Sequence, residues 1–196
     1  MAKKDANKGK LVVISGPSGV GKSTLCAEVI KKTKAFLSVS ITTRPQANGE
    51  VDGKDYEYVS KEQFLEQIEN DEFLEHAEVF GNFYGTPRSK VEQALAQGKI
   101  VILEIDVQGA LLVKQQYENV ITIFILPPTQ SDLVGRMSGR ARGEDSEEAR
   151  KRLDSASTET AAAWQYYDHM VINEELENAT QEIVDIIEGK VEKKND

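Results

Sequence analysis

Four short segments of the chain are almost continuously apolar, and helical patterns separate them. The apolar segments are Leu11–Ile14, Ile100–Ile105, Val120–Leu126 and Met170–Ile172. Strands buried on both faces of a parallel sheet lack the polar alternation of half-exposed strands, and segments of this kind are typical of them. We therefore predict a parallel sheet at the centre of the protein.

The helical pattern is clearest near the end of the chain, where apolar residues recur every three or four positions. Glycine and proline mark several predicted helix ends, notably Gly98 and the pair Pro127–Pro128. The predicted helices are Lys22–Thr33, Lys61–Asn70, Arg88–Gln97, Gln130–Met137, Ser146–Trp164 and Glu175–Val191. Because strands and helices alternate, the pattern indicates an α/β fold with a doubly wound core.

Two stretches interrupt this alternation. Residues 38–86 contain short strand-like pieces, glycine turns and one acidic helix, which predicts an inserted lobe. Residues 138–149 are polar, charged and punctuated by glycine, which predicts a short mobile lid. The core then comprises residues 10–37, 87–137 and 150–196, and residues 1–9 are expected to form a disordered tail.

Composition narrows the class of protein. Hydrophobic residues make up 39% and charged residues 29% of the 196 residues, as in soluble globular proteins. A net charge of −9 argues against a nucleic-acid partner, because a phosphate backbone requires a basic face. No apolar segment is long enough to span a bilayer, and no apolar stretch follows the basic N-terminus as in a signal peptide. The single cysteine, Cys26, suits a reducing compartment, so we expect a cytoplasmic protein.

The first predicted strand is followed by Gly16–Ser23, with the sequence GPSGVGKS. This segment fits the phosphate-loop motif G-x-x-x-x-G-K-[ST], and it lies between a predicted strand and a predicted helix, as that motif requires. The glycines let successive backbone N–H groups point at phosphate oxygens, and the helix N-terminus adds its dipole. Lys22 is expected to reach the β- and γ-phosphates, and Ser23 to ligate Mg²⁺. The motif predicts a nucleoside triphosphate site, but GTPases, ATPase motors and small-molecule kinases all share it.

A series of further motifs follows in order. They are Ser38–Arg44 (SVSITTR), Gly49–Tyr56 (GEVDGKDY), Phe73–Glu75 (FLE), Gly81–Thr86 (GNFYGT), Leu103–Gly109 (LEIDVQG), Pro127–Pro128 and Val171–Asn173 (VIN). With the phosphate loop and an arginine-bearing lid, this series resembles that of guanylate kinases from Lys10 to about Gly189. The resemblance implies a phosphate-loop core with a GMP-binding lobe and a lid. It also implies phosphoryl transfer from ATP to GMP or dGMP, with Mg²⁺ as cofactor.

The resemblance further implies roles for single residues. Glu75 matches the residue that accepts hydrogen bonds from guanine N1–H and N2–H₂, and adenine has an acceptor at N1 instead. The other implied GMP-binding residues are Ser40, Arg44, Tyr56, Tyr84, Thr86 and Asp106. The implied ATP-binding residues are Gly16, Pro17, Ser18, Gly19, Val20, Gly21, Lys22, Ser23, Thr24 and Asn173, with Ser23 on the metal and Glu104 and Asp106 near metal-bound waters. The implied catalytic residues are Lys22, Arg44, Arg136, Arg140 and Arg152.

Simpler structural roles stay open for these residues. A tyrosine in a strand-rich lobe is often half-buried packing, and a surface arginine is usually only solvated. We interpret His76, His169, Cys26 and Trp164 as structural. Two departures from the family pattern stand out: Ala47 occupies the position of a second phosphate-binding arginine, and the lid is one residue longer, with an additional Arg142.

Two other functions stay as alternatives. The first is a guanylate-kinase-like module that binds protein partners, which the intact phosphate loop disfavours. The second is a kinase of the same fold with a different phosphate acceptor, which Glu75 with Ser40 and Thr86 disfavours while Ala47 leaves it open. The sequence does not predict the oligomeric state.

Overall fold

A computed structural model of the protein describes residues 9–129, 131–132 and 158–191. The strands are β1 (Lys10–Ser15), β2 (Phe36–Ser38), β3 (Ile41–Thr42), β4 (Glu57–Tyr58), β5 (Phe73–Val79), β6 (Asn82–Pro87), β7 (Ile100–Glu104), β8 (Ile121–Leu126) and β9 (His169–Ile172). The helices are α1 (Lys22–Thr33), α2 (Lys61–Glu69), α3 (Arg88–Ala96), α4 (Val107–Gln116), α5 (described over 158–166) and α6 (Leu176–Glu188).

A five-stranded sheet with the order β2-β7-β1-β8-β9 forms the core, and all of its pairings are parallel. The central strand β1 contributes Leu11–Ile14, which are fully buried. Successive side chains of a strand point to opposite faces, so Leu11 and Val13 enter one apolar cluster and Val12 and Ile14 the other. The four predicted apolar strands are confirmed to within one or two residues at each end.

Helices cover both faces of this sheet. Helices α1 and α6 pack on one face through residues such as Leu25 and Ile183. Helices α3 and α4 pack on the other through residues such as Leu95 and Val113. This is the doubly wound α/β arrangement that the alternation of strands and helices predicts. Because all five strands are parallel, their carboxyl ends meet at one edge, where such folds bind ligands.

A second, smaller sheet has the order β4-β3-β6-β5 and is mostly antiparallel. Helix α2 packs on it and begins at a capping box, in which Ser60 and Gln63 satisfy each other's backbone N–H groups. Three aromatic rings form its core: Phe64 lies 4.4 Å from Phe73 and 5.5 Å from Phe83, measured between ring centroids. Strand β5 of this sheet contacts α3 and α4 of the core.

Sequence reasoning missed two elements of the core. Strand β2 is only three residues long and partly exposed, so it gives a weak apolar signal. Helix α4 contains Gly109 in its first turns and lacks a clear apolar stripe, although Asp106 caps its N-terminus through the Gly109 N–H. Ser38, assigned to the inserted lobe, pairs with Leu103 in the larger sheet. The division into core, lobe and lid stays a prediction.

Several predictions concern residues outside the described part of the chain. They are the tail up to residue 8, most of the helix Gln130–Met137, the lid at 138–149, and the helix Ser146–Trp164 as far as residue 157. Cys26 is fully buried, in keeping with a structural role. Trp164 is 53% exposed, so it lies outside the buried core, and its structural role stays a prediction. Within the described ranges, no helix is long and apolar enough to cross a membrane.

The aromatic core of the smaller sheet generates a stability prediction. Phe64→Ala should lower the free energy of unfolding by about 3–5 kcal/mol, because it removes a buried ring and leaves a cavity between two others. The neighbouring Leu65 lies on the same helix but is 42% exposed. Leu65→Ala should therefore cost about 1 kcal/mol or less. Urea titrations of the two variants and the parent protein measure the difference, and equal costs would contradict this account of the core.

Candidate active site

The phosphate loop connects β1 to α1, and its backbone relies on glycine. Gly16, Gly19 and Gly21 have φ angles of 152°, 81° and 101°, values that favour residues without a Cβ. A Cβ at Gly16 would lie 2.6 Å from the carbonyl oxygen of Ile125, and one at Gly21 would lie 2.6 Å from the side-chain nitrogen of Asn173. The loop therefore passes directly over the ends of β8 and β9.

Asn173 fixes the loop from the residue that follows β9. Its side-chain amide donates to the carbonyl of Val20 at 2.8 Å, and its backbone N–H donates to the carbonyl of Leu126 at 2.8 Å. The side chain is buried, at 7% exposure. The structure thus brings Asn173, an ATP-binding residue by resemblance, to the phosphate loop, and its amide supports the loop's conformation.

The reactive groups of the loop lie at the start of α1. The Lys22 ammonium donates to the carbonyls of Gly16 and Pro17, at 2.6 Å and 3.0 Å. The Ser23 hydroxyl donates a hydrogen bond to Glu104 Oε1 at 2.9 Å, so the lone pairs of the hydroxyl oxygen stay available to bind a cation. Hydroxyl and carboxylate oxygens are the ligands that Mg²⁺ prefers, so these residues fit a Mg²⁺ site beside phosphates. Among the described residues, no three His, Cys, Asp or Glu side chains cluster to bind a metal by themselves.

A buried carboxylate lies where the smaller sheet meets the core. Glu75 is 6% exposed, and the Thr86 hydroxyl donates to its Oε1 at 2.5 Å. Burial raises the pKa of Glu75 to about 7; the Thr86 hydrogen bond opposes this shift, and the negative charge of Asp106 adds to it. A Cβ at Gly109 would lie only 2.5 Å from Glu75 Oε2, so the carboxylate rests against the first turn of α4.

Asp106 connects this carboxylate to the phosphate loop. Burial raises the pKa of Asp106, while the N–H of Gly109 and the positive charge of Lys22 oppose that shift. The structure therefore brings Glu75, Thr86 and Asp106 together, with Lys22 close enough to influence the last of them. All of these residues surround the edge where the parallel strands end.

A second polar cluster lies on the smaller sheet. Arg44 Nη2 donates to both carboxylate oxygens of Glu50, at 2.8 Å and 3.0 Å, and the guanidinium lies 5.3 Å above the ring of Tyr56. The rings of Tyr56 and Tyr84 are 5.9 Å apart. Burial, and next the negative charge of Glu104, raise the pKa of Tyr56 to about 12. The structure thus brings Arg44, Tyr56 and Tyr84 together, and this cluster faces the end of β7.

Two members of this cluster were missed by sequence reasoning. Burial opposes ionisation of Glu50, but hydrogen bonds from Arg44, Tyr58 and the Ala47 N–H outweigh it and lower its pKa to about 2. Glu50 lies inside a quoted motif, but no role was assigned to it. Tyr58 could have been found from the sequence. Residues two apart in an extended segment share a face, so Tyr58 is expected on the same face as the candidate Tyr56.

The remaining candidates are placed as follows. Ser40 accepts a hydrogen bond from the Glu57 N–H through its carbonyl, at 2.9 Å, and is half-buried between the two sheets. Ser18 and Thr24 are exposed on the phosphate loop and at the start of α1. The candidate catalytic residues Arg136, Arg140 and Arg152, and the additional Arg142, lie outside the described residues. The roles of all these side chains stay predictions.

A phosphate loop over the strand ends of a doubly wound parallel sheet defines an α/β nucleotide-binding protein of the phosphate-loop class. The family model for guanylate kinase matches residues 8–190. The chain therefore belongs to the guanylate kinase family, which confirms the resemblance seen in its motifs.

Individual relatives agree with this assignment. The guanylate kinase of Carboxydothermus hydrogenoformans is 46% identical over 178 residues, covering 90% of this chain and 86% of that protein. The guanylate kinase of Thermus thermophilus is 46% identical over 181 residues, covering 92% of this chain and 81% of that protein. The crystal structure of guanylate kinase from Anaplasma phagocytophilum matches with a TM-score of 0.76 at 36% identity, covering 97% of this chain and 88% of that one. The predicted α/β phosphate-loop fold is thereby confirmed.

The burial of Glu75 generates a prediction about stability and pH. Its folded-state pKa, about 7, is raised above the ordinary value of 4.5, so burying the ionised form destabilises the fold as pH rises from 4.5 to 7. Glu75→Gln should therefore gain stability over the parent protein across this range, by about 3 kcal/mol above pH 7. Urea titrations at pH 4.5 and pH 8 measure the gain. Glu78→Gln, an exposed control on the same strand, should show none, and an equal gain from both variants would contradict the prediction.

Proposed function

We propose that this chain is a guanylate kinase that transfers the γ-phosphoryl group of ATP to GMP or dGMP with the help of Mg²⁺. The observation that carries the proposal is the buried Glu75 carboxylate, held by Thr86 beside Asp106 and facing an intact phosphate loop. The reaction would serve GMP recycling in purine nucleotide metabolism, in the cytoplasm.

The base site suits guanine. An ionised Glu75 accepts hydrogen bonds from the adjacent N1–H and N2–H₂ donors of guanine as a charged pair. Adenine presents an acceptor at N1, so it would leave the buried carboxylate unpaired and repelled. A buried polar site rejects a ligand that cannot satisfy it far more strongly than an apolar pocket rejects a wrong shape.

The phosphate of GMP would meet Arg44 and the hydroxyls of Tyr56 and Tyr84. These residues supply one cation and two neutral donors on the side of the smaller sheet that faces Glu104. An arginine above an aromatic ring keeps its plane fixed, which suits a planar fork that binds phosphate through two N–H groups.

The phosphates of ATP would lie in the phosphate loop. Its backbone N–H groups and the N-terminus of α1 attract negative charge, and Lys22 would exchange the Gly16 and Pro17 carbonyls for phosphate oxygens. When bound, Mg²⁺ supplies neutralisation of phosphate charge; Ser23 would hold it, with its hydroxyl oriented by Glu104. Phosphoryl transfer needs positioning and charge neutralisation more than a general base, and Arg136, Arg140 and Arg152 are proposed to add to the latter.

An acceptor panel tests the proposal directly. ATP turnover is measured with GMP, dGMP, AMP, UMP and a sugar phosphate as acceptors, and GMP and dGMP should be strongly preferred. A protein-binding module would turn over none of them. A kinase for another acceptor would prefer a different member of the panel.

Lys22→Ala is the control for the transfer site. Removing the charge aimed at the transferring group should reduce turnover by several orders of magnitude, about 10³-fold or more, while the fold stays intact. Circular dichroism checks the fold. A folded Lys22→Ala protein with nearly normal turnover would rule out this site for the transfer step.

The pKa of Glu75 predicts how base recognition depends on pH. Because guanine's two donors require the carboxylate, and its pKa is about 7, the KM for GMP should fall as pH rises from 6 to 8. The GMP phosphate itself titrates near pH 6, at about the value of other phosphate monoesters, so a reference variant is needed. Glu75→Gln is that reference, because it keeps the phosphate contribution and removes the carboxylate. The ratio of KM for Glu75→Gln to KM for the parent protein should rise with pH and level off above about pH 7.5. A ratio that does not change with pH would show that Glu75 does not titrate in GMP binding.

A further inference from the structure

Both oxygens of the Glu50 carboxylate are engaged by neighbouring donors. Arg44 Nη2 reaches Oε1 at 2.8 Å and Oε2 at 3.0 Å. The backbone N–H of Ala47 donates to Oε2 at 2.8 Å, and the hydroxyl of Tyr58 donates to the same oxygen at 2.7 Å. Through these hydrogen bonds, Glu50 connects Arg44 and Ala47, in the loop after β3, to Tyr58 in strand β4.

Tyr58 belongs to this polar cluster and not to the apolar core of the smaller sheet. The next residue, Val59, packs on the core formed by Ile41, Phe64 and Phe73, and alternation along the strand directs Tyr58 the other way. Its ring lies 6.0 Å from that of Tyr56, and Arg44 lies 6.0 Å above it. Its hydroxyl thus has one described hydrogen-bond partner, which is Glu50.

We propose that Tyr58 is a positioning residue for Arg44: acting through Glu50, its hydroxyl holds the guanidinium in the orientation that receives the phosphate of the nucleotide acceptor. This inference rests on the proposed function. It concerns the cluster made by Arg44, Ala47, Glu50 and Tyr58, which we call the arginine clamp.

The physical reason is the freedom of a long side chain. Arginine has many rotamers in solution, and a site loses affinity when that freedom is lost only on binding. In the arginine clamp, Glu50 binds Nη2, the Pro45 carbonyl accepts from Nη1 at 2.8 Å, and the guanidinium carbon lies 5.3 Å from the centroid of the Tyr56 ring. A site with Ala47 where a second arginine is expected depends more strongly on the orientation of the first.

Glu50 could either orient Arg44 for the phosphate or compete with the phosphate for Arg44, and the direction of the change in GMP affinity distinguishes the two. Glu50 neutralises part of the charge of Arg44, so it also weakens the attraction of Arg44 for an anion. If Glu50 mainly competed with the phosphate, then loosening Glu50 would strengthen GMP binding. If Glu50 mainly orients Arg44, then loosening Glu50 weakens GMP binding. Tyr58→Phe loosens Glu50 by one hydrogen bond and keeps the ring, so it distinguishes the two.

The experiment compares Tyr58→Phe with the parent protein. Titration calorimetry measures the Kd of GMP and of guanosine, and steady-state kinetics measures KM for GMP and for ATP. We expect the Kd and KM of GMP to rise about fivefold, the effect of one lost net hydrogen bond. The Kd of guanosine, which has no phosphate, and the KM of ATP, whose site does not include Tyr58, should not change.

Two further variants make the test specific. Tyr117→Phe is the matched control, because it removes a buried tyrosine hydroxyl at the far end of α4 from Asp106, and it should leave all four constants unchanged. Glu50→Gln should weaken GMP binding, and adding Tyr58→Phe to it should have less than the fivefold effect, since both act through one contact. Thermal melts of each variant establish that it is folded.

The measurements on Tyr58→Phe and on the parent protein test the positioning role and the proposed function separately. A GMP affinity that is unchanged or improved in Tyr58→Phe overturns the positioning role, and so does an equal loss for guanosine. A parent protein that does not phosphorylate GMP overturns the proposed function. A parent protein that phosphorylates GMP, with Tyr58→Phe indistinguishable from it, overturns only the positioning role.

Discussion

The site depends on one close approach, that of the phosphate loop to the ends of β8 and β9. Gly16 lies against the Ile125 carbonyl and Gly21 against Asn173, with no room for a side chain at either position. The Asn173 amide then ties Val20 to the residue after β9. Because the loop is fixed to the sheet at both its ends, the sheet determines where Lys22 and Ser23 lie. Glu104 is the last residue of the neighbouring strand β7 and Asp106 follows it, so the same sheet also fixes the positions of these two carboxylates.

The smaller sheet adds groups whose burial opposes folding. The Glu75 carboxylate, at 6% exposure, has lost most of its hydration, and hydrogen bonds from Thr86 replace only part of it. Such a group persists because the Phe64–Phe73–Phe83 core and the pairing of β5 with β6 hold the strand in place. In the proposed function, this cost in stability accompanies base selection, because a ligand with two adjacent donors would give the carboxylate the hydrogen bonds that burial removed.

Much of the core could be predicted from the sequence, and the reason is physical. Leu11–Ile14 are apolar on both faces, which only a fully buried strand requires, and the phosphate-loop motif specifies its own strand–loop–helix context. Helix α4 escaped prediction because its helical signal is weak around Gly109, and that glycine is needed where Glu75 Oε2 would meet a Cβ. Glu50 and Tyr58 escaped because their importance comes from contacts between loop and strand, and no local pattern encodes those. The local rules failed where the site constrains the chain most.

The cations of the site also explain how an acidic protein is suited to anionic ligands. With a net charge of −9, the protein as a whole repels nucleotides, so attraction must come from a few oriented groups in a cleft. Lys22 is held by two loop carbonyls and Arg44 by Glu50, so neither is a free charge on an open surface. An anion gains from such groups only if it reaches them in the geometry for which they are held. In the proposed function, the orientation of these cations would select a phosphate at a defined distance from a base, whereas a broad positive surface would accept any polyanion.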